Sequence, residues 1–365
     1  MNKIRVLVVD DSALMRKIIS DMINGEDNME VIYTAKNGED FLNNVSSLAP
    51  DVITMDVEMP KIDGLTVLRE LKKNNIKIPV IMLSSATGQG AQVTMDCLEA
   101  GAFDFISKPS GSISLDINKV KEDLVQKISL AAERATRSAP GDSFIPRATV
   151  NKPVAPIVEK RTFTPPATPV RSRVAGGVKA VVMGASTGGP KALYEVITKL
   201  PKDLGVPVFV VQHMPEGFTK AFAERLDANS NLKVVEAEDM MIIEKNTVYI
   251  AKGGYHMLVN QDKRIHLSLE PSIWGVRPAV DKLFFSAVKV YGSALLSVIL
   301  TGMGRDGADG TAEIKNNGGI TISEDKSTCT IYGMPKAAYE TGKVDLVLPL
   351  HKVSDEITRI VEREG

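Results

Sequence analysis

The chain has 365 residues and carries 44 lysines and arginines against 45 aspartates and glutamates. That length exceeds what one hydrophobic core usually organises, so two domains are expected, and the near-neutral charge gives no footprint for nucleic acid or an anionic membrane surface. Cys97 and Cys329 lie far apart without metal-ligand spacing, which argues against a disulfide framework and a zinc site and suits a reducing compartment. With no secretory signal pattern and no apolar run of bilayer length, a cytoplasmic protein without direct membrane insertion is expected.

The first hundred-odd residues alternate short apolar runs with amphipathic segments. Strands are predicted at Val6 to Val9, Val31 to Tyr33, Val52 to Met55, Val80 to Leu83 and Phe103 to Ile106, and helices at Leu14 to Ile23, Gly64 to Lys73 and Val93 to Ala100. Continuous apolar strands joined by helices indicate a parallel sheet buried on both faces, whose ligand site lies at the carboxyl ends of the strands. Asp10 and Asp11 follow the first strand, Asp56 the third, Ser84 the fourth and Lys108 the fifth. Three converging carboxylates raise one another's pKa unless a cation sits among them, and an all-oxygen cluster suits Mg²⁺. Singly, each Asp reads equally as a helix cap and Lys108 as a solvated loop residue; their joint placement is the signal.

Through Val8-Val9-Asp10-Asp11-Ser12, Met55-Asp56-Val57-Glu58-Met59-Pro60, Gly64, Leu83-Ser84-Ser85 and Phe105-Ile106-Ser107-Lys108-Pro109, this half resembles the receiver domain of bacterial response regulators. The resemblance implies a flavodoxin-like doubly wound sheet. It implies Asp56 as phospho-acceptor, with Asp10, Asp11, Asp56 and the Glu58 carbonyl around Mg²⁺. Ser84 and Lys108 would contact the phosphoryl group, Phe105 would be the aromatic switch position, and a histidine kinase the donor.

Ile117, Val120, Leu124, Ile128 and Ala131 recur at helical spacing and predict a long fifth helix closing this half. Beyond it seven prolines fall between Pro140 and Pro169, among scattered lysines and arginines. Such a stretch cannot bury a core and reads as an extended tether; a nucleic-acid arm is the lesser reading, because aromatics are lacking. The expected division is a receiver over 1–135, a linker over 136–177 and a second domain over 178–365.

Sheet patterning resumes with strands predicted at Val178 to Met183, Val206 to Val211, Leu295 to Thr301 and Gly319 to Ile322. Helical segments fall at Lys191 to Lys199, Phe218 to Asp227, Val280 to Tyr291 and Gly307 to Asn316. This is a second α/β domain. Val234 to Val235, Val248 to Ile250, His256 to Val259 and Ile265 to Leu269 are short and turn-rich, and read as a small antiparallel insertion.

The first strand of this half ends in Gly184-Ala185-Ser186-Thr187-Gly188-Gly189-Pro190. Glycines on both sides let the backbone turn sharply and leave a serine hydroxyl beside a helix N-terminus, the position of an acyl-transfer nucleophile. A Ser N-cap or a phosphate-holding loop would give the same tetrapeptide. Serine needs an imidazole to take its proton and a carboxylate to orient that imidazole. Of the four histidines only His213 directly follows a buried-looking strand; His256, His266 and His351 read as surface or satisfied residues. Asp306, in the glycine-rich Thr301-Gly302-Met303-Gly304-Arg305-Asp306-Gly307, is the natural orienter, and also reads as the N-cap of the helix beginning near Gly307. The order Ser, His, Asp is not that of α/β-hydrolases.

Gly184-Ala-Ser186-Thr-Gly-Gly-Pro, Val211-Gln-His213-Met-Pro-Glu-Gly-Phe, Arg277-Pro-Ala-Val-Asp281, Leu300-Thr-Gly-Met303-Gly-Arg-Asp306-Gly and Tyr332-Gly-Met-Pro335 resemble the catalytic domain of chemotaxis protein-glutamate methylesterases. The resemblance implies hydrolysis of glutamate γ-methyl esters on methyl-accepting chemoreceptors, with deamidation of receptor glutamines. It implies Ser186 as nucleophile, His213 as proton shuttle, Asp306 as orienter, and the amides of Thr187 and Met303 as an oxyanion hole. Arg277 and the Pro335 loop would shape the substrate rim, and the ester reaction would need no cofactor. A receiver tethered to this domain is expected to cover its cleft until phosphorylated. The competing class, a phospho-regulated nucleotide-binding module, lacks a Walker lysine because Pro190 follows the glycines.

Overall fold

The structure, a computed structural model, describes residues 3–108, 116–137 and 177–364. The first half runs β1 (Ile4–Val9), α1 (Ala13–Asn24), β2 (Met29–Ala35), α2 (Gly38–Leu48), β3 (Val52–Asp56), α3 (Gly64–Lys73), β4 (Val80–Ser84), α4 (Gly88–Ala100), β5 (Asp104–Ser107) and α5 (Asp116–Arg137). The five strands pair in parallel in the order β2-β1-β3-β4-β5. Every residue of β3 and β4 is buried, as a sheet covered by helices on both faces requires. Short polar side chains start the helices: Asn37, Asp63 and Thr87 accept the N–H of Asp40, Thr66 and Gly90, which would otherwise lack partners. In α5, Leu124, Ile128 and Ala131 are fully buried, the stripe their spacing predicted. Pro109 and the proline-rich stretch from 138 to 176 lie outside the described residues.

The second half runs β6 (Ala180–Ala185), α6 (Gly189–Ile197), β7 (Val208–Gln212), α7 (Phe218–Asp227), β8 (Lys233–Glu236), β9 (Thr247–Ile250), β10 (His256–Val259), β11 (Ile265–Ser268), α8 (Val280–Tyr291), β12 (Leu295–Ile299), α9 (Ala308–Asn316), β13 (Ile320–Glu324), α10 (Met334–Glu340), β14 (Leu346–Leu348) and α11 (Val353–Glu364). Seven strands form one parallel sheet in the order β14-β13-β12-β6-β7-β9-β8. The antiparallel insertion is smaller than the sequence suggested. Only β10 and β11 form it, whereas β8 and β9 extend the main sheet in parallel. Their brevity hid this, because a strand of four residues carries too little periodicity to show its direction. β14, also short and half-buried, was not anticipated.

β6 is the centre of the arrangement. The chain leaves it for β7 on one side and returns much later to β12 on the other, so the strand order reverses beside β6 and a crevice opens at the carboxyl ends. The two halves also touch. α4 lies against α7, where Gln92 Nε2 donates to Glu224 Oε2 at 2.7 Å and Arg225 bridges Asp96 and Glu99. Met95, Leu98 and Phe105 of the first half share one apolar cluster with Met214, Phe218 and Phe222 of the second.

Candidate active site

Ser186 follows β6, His213 follows β7, and Asp306 sits in the loop between β12 and α9. Adjacent strands hold the loops in register: Ser186 N–H donates to the Thr301 carbonyl at 3.0 Å, and His213 N–H to the Ala185 carbonyl at 3.1 Å. Two glycines make the approach possible. A Cβ on Gly302 would lie 2.8 Å from Ser186 Cβ and 2.4 Å from Met334 Sδ, and one on Gly189 would lie 2.0 Å from Gln212 Oε1. Gly188 adopts φ +76° to turn the chain into α6, where Pro190 occupies the first turn, a place with no N–H to lose.

The structure brings His213 and Asp306 together: His213 Nε2 lies 2.8 Å from Asp306 Oδ2. Asp306 is 2 % exposed and accepts two more hydrogen bonds, from Val280 N–H to Oδ2 at 2.6 Å and from Asp281 N–H to Oδ1 at 2.9 Å. It therefore caps α8, not its own α9, whose N-cap residue is Gly307 and offers no side chain. The N-cap reading had the right chemistry on the wrong helix. Burial opposes the charge of Asp306, but the bond and charge of His213 and the two amides outweigh it and hold its pKa below the ordinary carboxylate value. With Nε2 engaged, Nδ1 is the other ring nitrogen of His213, and among the described residues neither it nor the Ser186 hydroxyl makes a hydrogen bond.

The amides of Thr187 and Met303 likewise have no acceptor among the described residues, as donors reserved for an external oxyanion would. Thr187 is buried, and its carbonyl accepts from Thr301 Oγ1 at 3.0 Å. Arg277 binds its own segment, donating from Nη1 to the carbonyls of Leu269 and Glu270 at 2.9 and 3.1 Å. Pro335 lies in the first turn of α10, its carbonyl accepting from Ser323 Oγ at 3.1 Å.

Three buried side chains brace these loops and were not singled out as site residues from the sequence. Gln212 Nε2 donates to the Ser186 and His213 carbonyls at 2.9 and 3.0 Å. Glu324 Oε2 accepts Thr301 N–H at 2.7 Å. Asp281 receives the indole N–H of Trp274 at 3.4 Å, and the Trp274 ring lies 4.9 Å from the Arg305 guanidinium. The signal available was a polar residue ending or following an apolar run, and it does not say which partner such a residue meets.

At the receiver sheet edge Lys108 Nζ lies 2.9 Å from Asp10 Oδ2 and 2.7 Å from Asp56 Oδ2. Carboxylate oxygens of Asp10, Asp11 and Asp56 lie within 4.8 Å of one another. Burial pushes the Asp56 pKa up to about 6 even though Lys108 pulls it down. Asp10 Oδ2 is buried and, although beside Lys108, lacks an aligned hydrogen bond, so the cluster fits a hard cation. Glu58 N–H donates to Asp56 Oδ1 at 3.3 Å. Ser84 is turned to α4 instead, accepting from Thr94 Oγ1 at 2.6 Å and donating to the Gly90 carbonyl at 3.2 Å. Phe105 packs on Phe218 of the other half, ring centroids 4.6 Å apart, and the Thr187 side chain acts on neighbouring Asp104 to lower its pKa against the rise that burial causes.

Residues 181–357 match the family model for the CheB methylesterase domain and residues 6–117 that for the response regulator receiver domain. Over 99 % of its length, and 99 % of the relative's, the chain is 53 % identical to a Clostridium acetobutylicum protein-glutamate methylesterase/protein-glutamine glutaminase. The chain belongs to this methylesterase family. A Pyrococcus horikoshii member is 44 % identical over 99 % of this chain and 94 % of its own. The crystal structure of the Thermotoga maritima CheB methylesterase catalytic domain, 45 % identical, covers 51 % of this chain and all of that chain with a TM-score of 0.49. Among the described residues no helix is long and apolar enough to cross a membrane.

Proposed function

We propose that this methylesterase hydrolyses glutamate γ-methyl esters on the cytoplasmic parts of chemoreceptors, deamidates glutamines there, and is controlled by phosphorylation of Asp56. The observation that carries the catalytic assignment is the pairing of His213 with an Asp306 seated on two helix amides, one strand away from Ser186. Nδ1 of His213 takes the Ser186 proton as Oγ attacks the ester carbonyl. The oxyanion then forms against the Thr187 and Met303 amides. Collapse expels methoxide, which leaves as methanol with the proton from His213. Water, deprotonated by the same imidazole, attacks the acyl-enzyme and returns glutamate and free Ser186. With a glutamine substrate, ammonia leaves in place of methanol.

In the receiver, Asp10, Asp11, Asp56 and the Glu58 carbonyl would hold Mg²⁺, which when bound neutralises the acidic cluster and the incoming phosphoryl oxygens. A histidine kinase would supply that phosphoryl group to Asp56. Lys108 would then exchange its ion pair with Asp56 for the phosphoryl oxygens, and Ser84 would have to turn from α4 to reach them. The contact of Phe105 with Phe218 ties that change to the domain contact.

The test is methanol release from methylated chemoreceptor membranes by wild type and Ser186→Ala, each with and without a small-molecule phosphodonor and Mg²⁺. Release that needs Ser186 and rises with phosphodonor is expected. Release indifferent to Ser186 overturns the triad; release that needs Ser186 but ignores the phosphodonor overturns the control by Asp56.

A further inference from the structure

His256 opens β10 and is fully buried. Both ring nitrogens have backbone partners: Nδ1 lies 3.1 Å from the Ala279 amide nitrogen, and Nε2 lies 3.1 Å from the Pro271 carbonyl oxygen. A carbonyl has no proton to give and an amide no lone pair to offer, so Nε2 carries the hydrogen and Nδ1 accepts. The next two amides, those of Val280 and Asp281, are the ones that hold Asp306. Three successive N–H groups at the start of α8 are thus divided between one imidazole and one carboxylate.

We infer that His256 is a positioning residue for the esterase reaction: by accepting the Ala279 N–H it fixes the first turn of α8, and so the placement of Asp306 and of His213 behind it. This inference rests on the reading of Asp306 as the group that orients His213. An apolar side chain of similar size would fill the space but leave the Ala279 N–H and the Pro271 carbonyl without these partners. The role also needs a neutral ring, because imidazolium would turn a second N–H towards the Ala279 N–H. Burial lowers the His256 pKa, with Lys282 of α8 and Arg277 acting in the same direction, against the Pro271 carbonyl and Glu270.

The test compares two amide replacements in the full chain with phosphodonor and Mg²⁺ present, measuring kcat and KM on methylated receptor membranes. His256→Asn keeps an acceptor near the Nδ1 position, whereas His256→Gln keeps a donor near Nε2 and loses that acceptor. His256→Gln is expected to lower kcat by about 10- to 100-fold while KM stays within about twofold, and His256→Asn to keep kcat within about threefold. The downfield proton NMR signal of the hydrogen shared by His213 and Asp306 is expected to survive in Asn and vanish in Gln. Wild-type kcat and signal in a folded Gln variant overturn the inference. Equal losses in both variants that follow a common fall in Tm also overturn it, since His256 is then a packing residue only. Asp306→Asn in the same series separates the two readings. Full kcat there fells the triad and this inference together; a loss there with no loss at His256 fells this inference alone.

Discussion

Asp306 and Asp281 cap each other's helices. Asp306, just ahead of α9, receives the Val280 and Asp281 amides from the first turn of α8, and Asp281, in that first turn, receives the Gly310 amide of α9 at 2.7 Å. Each carboxylate satisfies donors that its neighbour's helix leaves open, which locks the two N-termini together. The electrostatic result is unequal. Asp306 has His213 as a partner, whereas burial, together with the charge of Asp306, pushes Asp281 up to about 6.

That inequality predicts a pH dependence. Between the unfolded carboxylate value of about 3.9 and about 6, folded Asp281 keeps a proton that the unfolded chain has released. Its contribution to stability is therefore present at low pH and lost as pH rises through about 6. Asp281→Asn, which cannot ionise, is expected to flatten this part of the curve, with a Tm that gains on wild type from pH 4 to 7. Thermal unfolding across that range checks it; parallel curves would refute it.

Asp56 obeys the same sign, since burial also raises it to about 6. Asp56→Asn is expected to abolish phosphodonor activation and at the same time to raise Tm at pH 7.5, the gain closing as pH falls towards 4. Mg²⁺ is expected to raise the wild-type Tm in proportion to its binding, and to do so much less in Asp10→Asn. A wild-type Tm indifferent to Mg²⁺ would remove the cation from the proposal.

Gly302 is the point where the Asp306 loop leans on Ser186, the proposed nucleophile. The methionine end at 2.4 Å from a new Cβ can move aside, but Ser186 Cβ at 2.8 Å and its amide at 3.0 Å cannot without shifting the hydroxyl. Gly302→Ala is expected to cut kcat by about 10²-fold, with destabilisation of about 1–3 kcal/mol. Wild-type turnover in this variant would show that Ser186 Oγ is not the reacting atom.

Arg225 holds the receiver by two carboxylates, Asp96 and Glu99. These groups are partly exposed, and such pairs are worth about 0–1 kcal/mol each. Arg225→Ala is expected to raise methanol release without phosphodonor by about two- to tenfold and to leave the phosphodonor-treated rate unchanged. An unaltered basal rate would mean that the α4 and α7 contact does not restrain the enzyme.

The sequence was most legible where physics acts locally. Val178 to Met183, Val206 to Val211 and Leu295 to Thr301 announce buried parallel strands by composition, and the polar residues at or just beyond their ends fall on one sheet edge because parallel strands all point the same way. What stayed hidden depends on partners distant in the chain. Nothing near Asp306 reveals that its amides come from Val280 and Asp281, and nothing in Thr247 to Ile250 reveals the parallel pairing with β7. His256 illustrates the limit: an isolated histidine at the head of a short strand has no local pattern, and its two bonds reach 15 and 23 residues along the chain.

One contact between the halves bears on how silence is kept. Asp104 precedes Phe105, Thr187 follows Ser186, and the Thr187 side chain acts on Asp104 to lower its pKa against burial. The receiver thus reaches the residue beside Ser186, the proposed nucleophile, through the neighbour of Phe105, the proposed switch. On the proposed control, the resting chain is then an enzyme held out of tune as well as one kept out of reach. A message from Asp56 would have no long wire to travel, because Asp104 and Phe105 are neighbours and both face the second half.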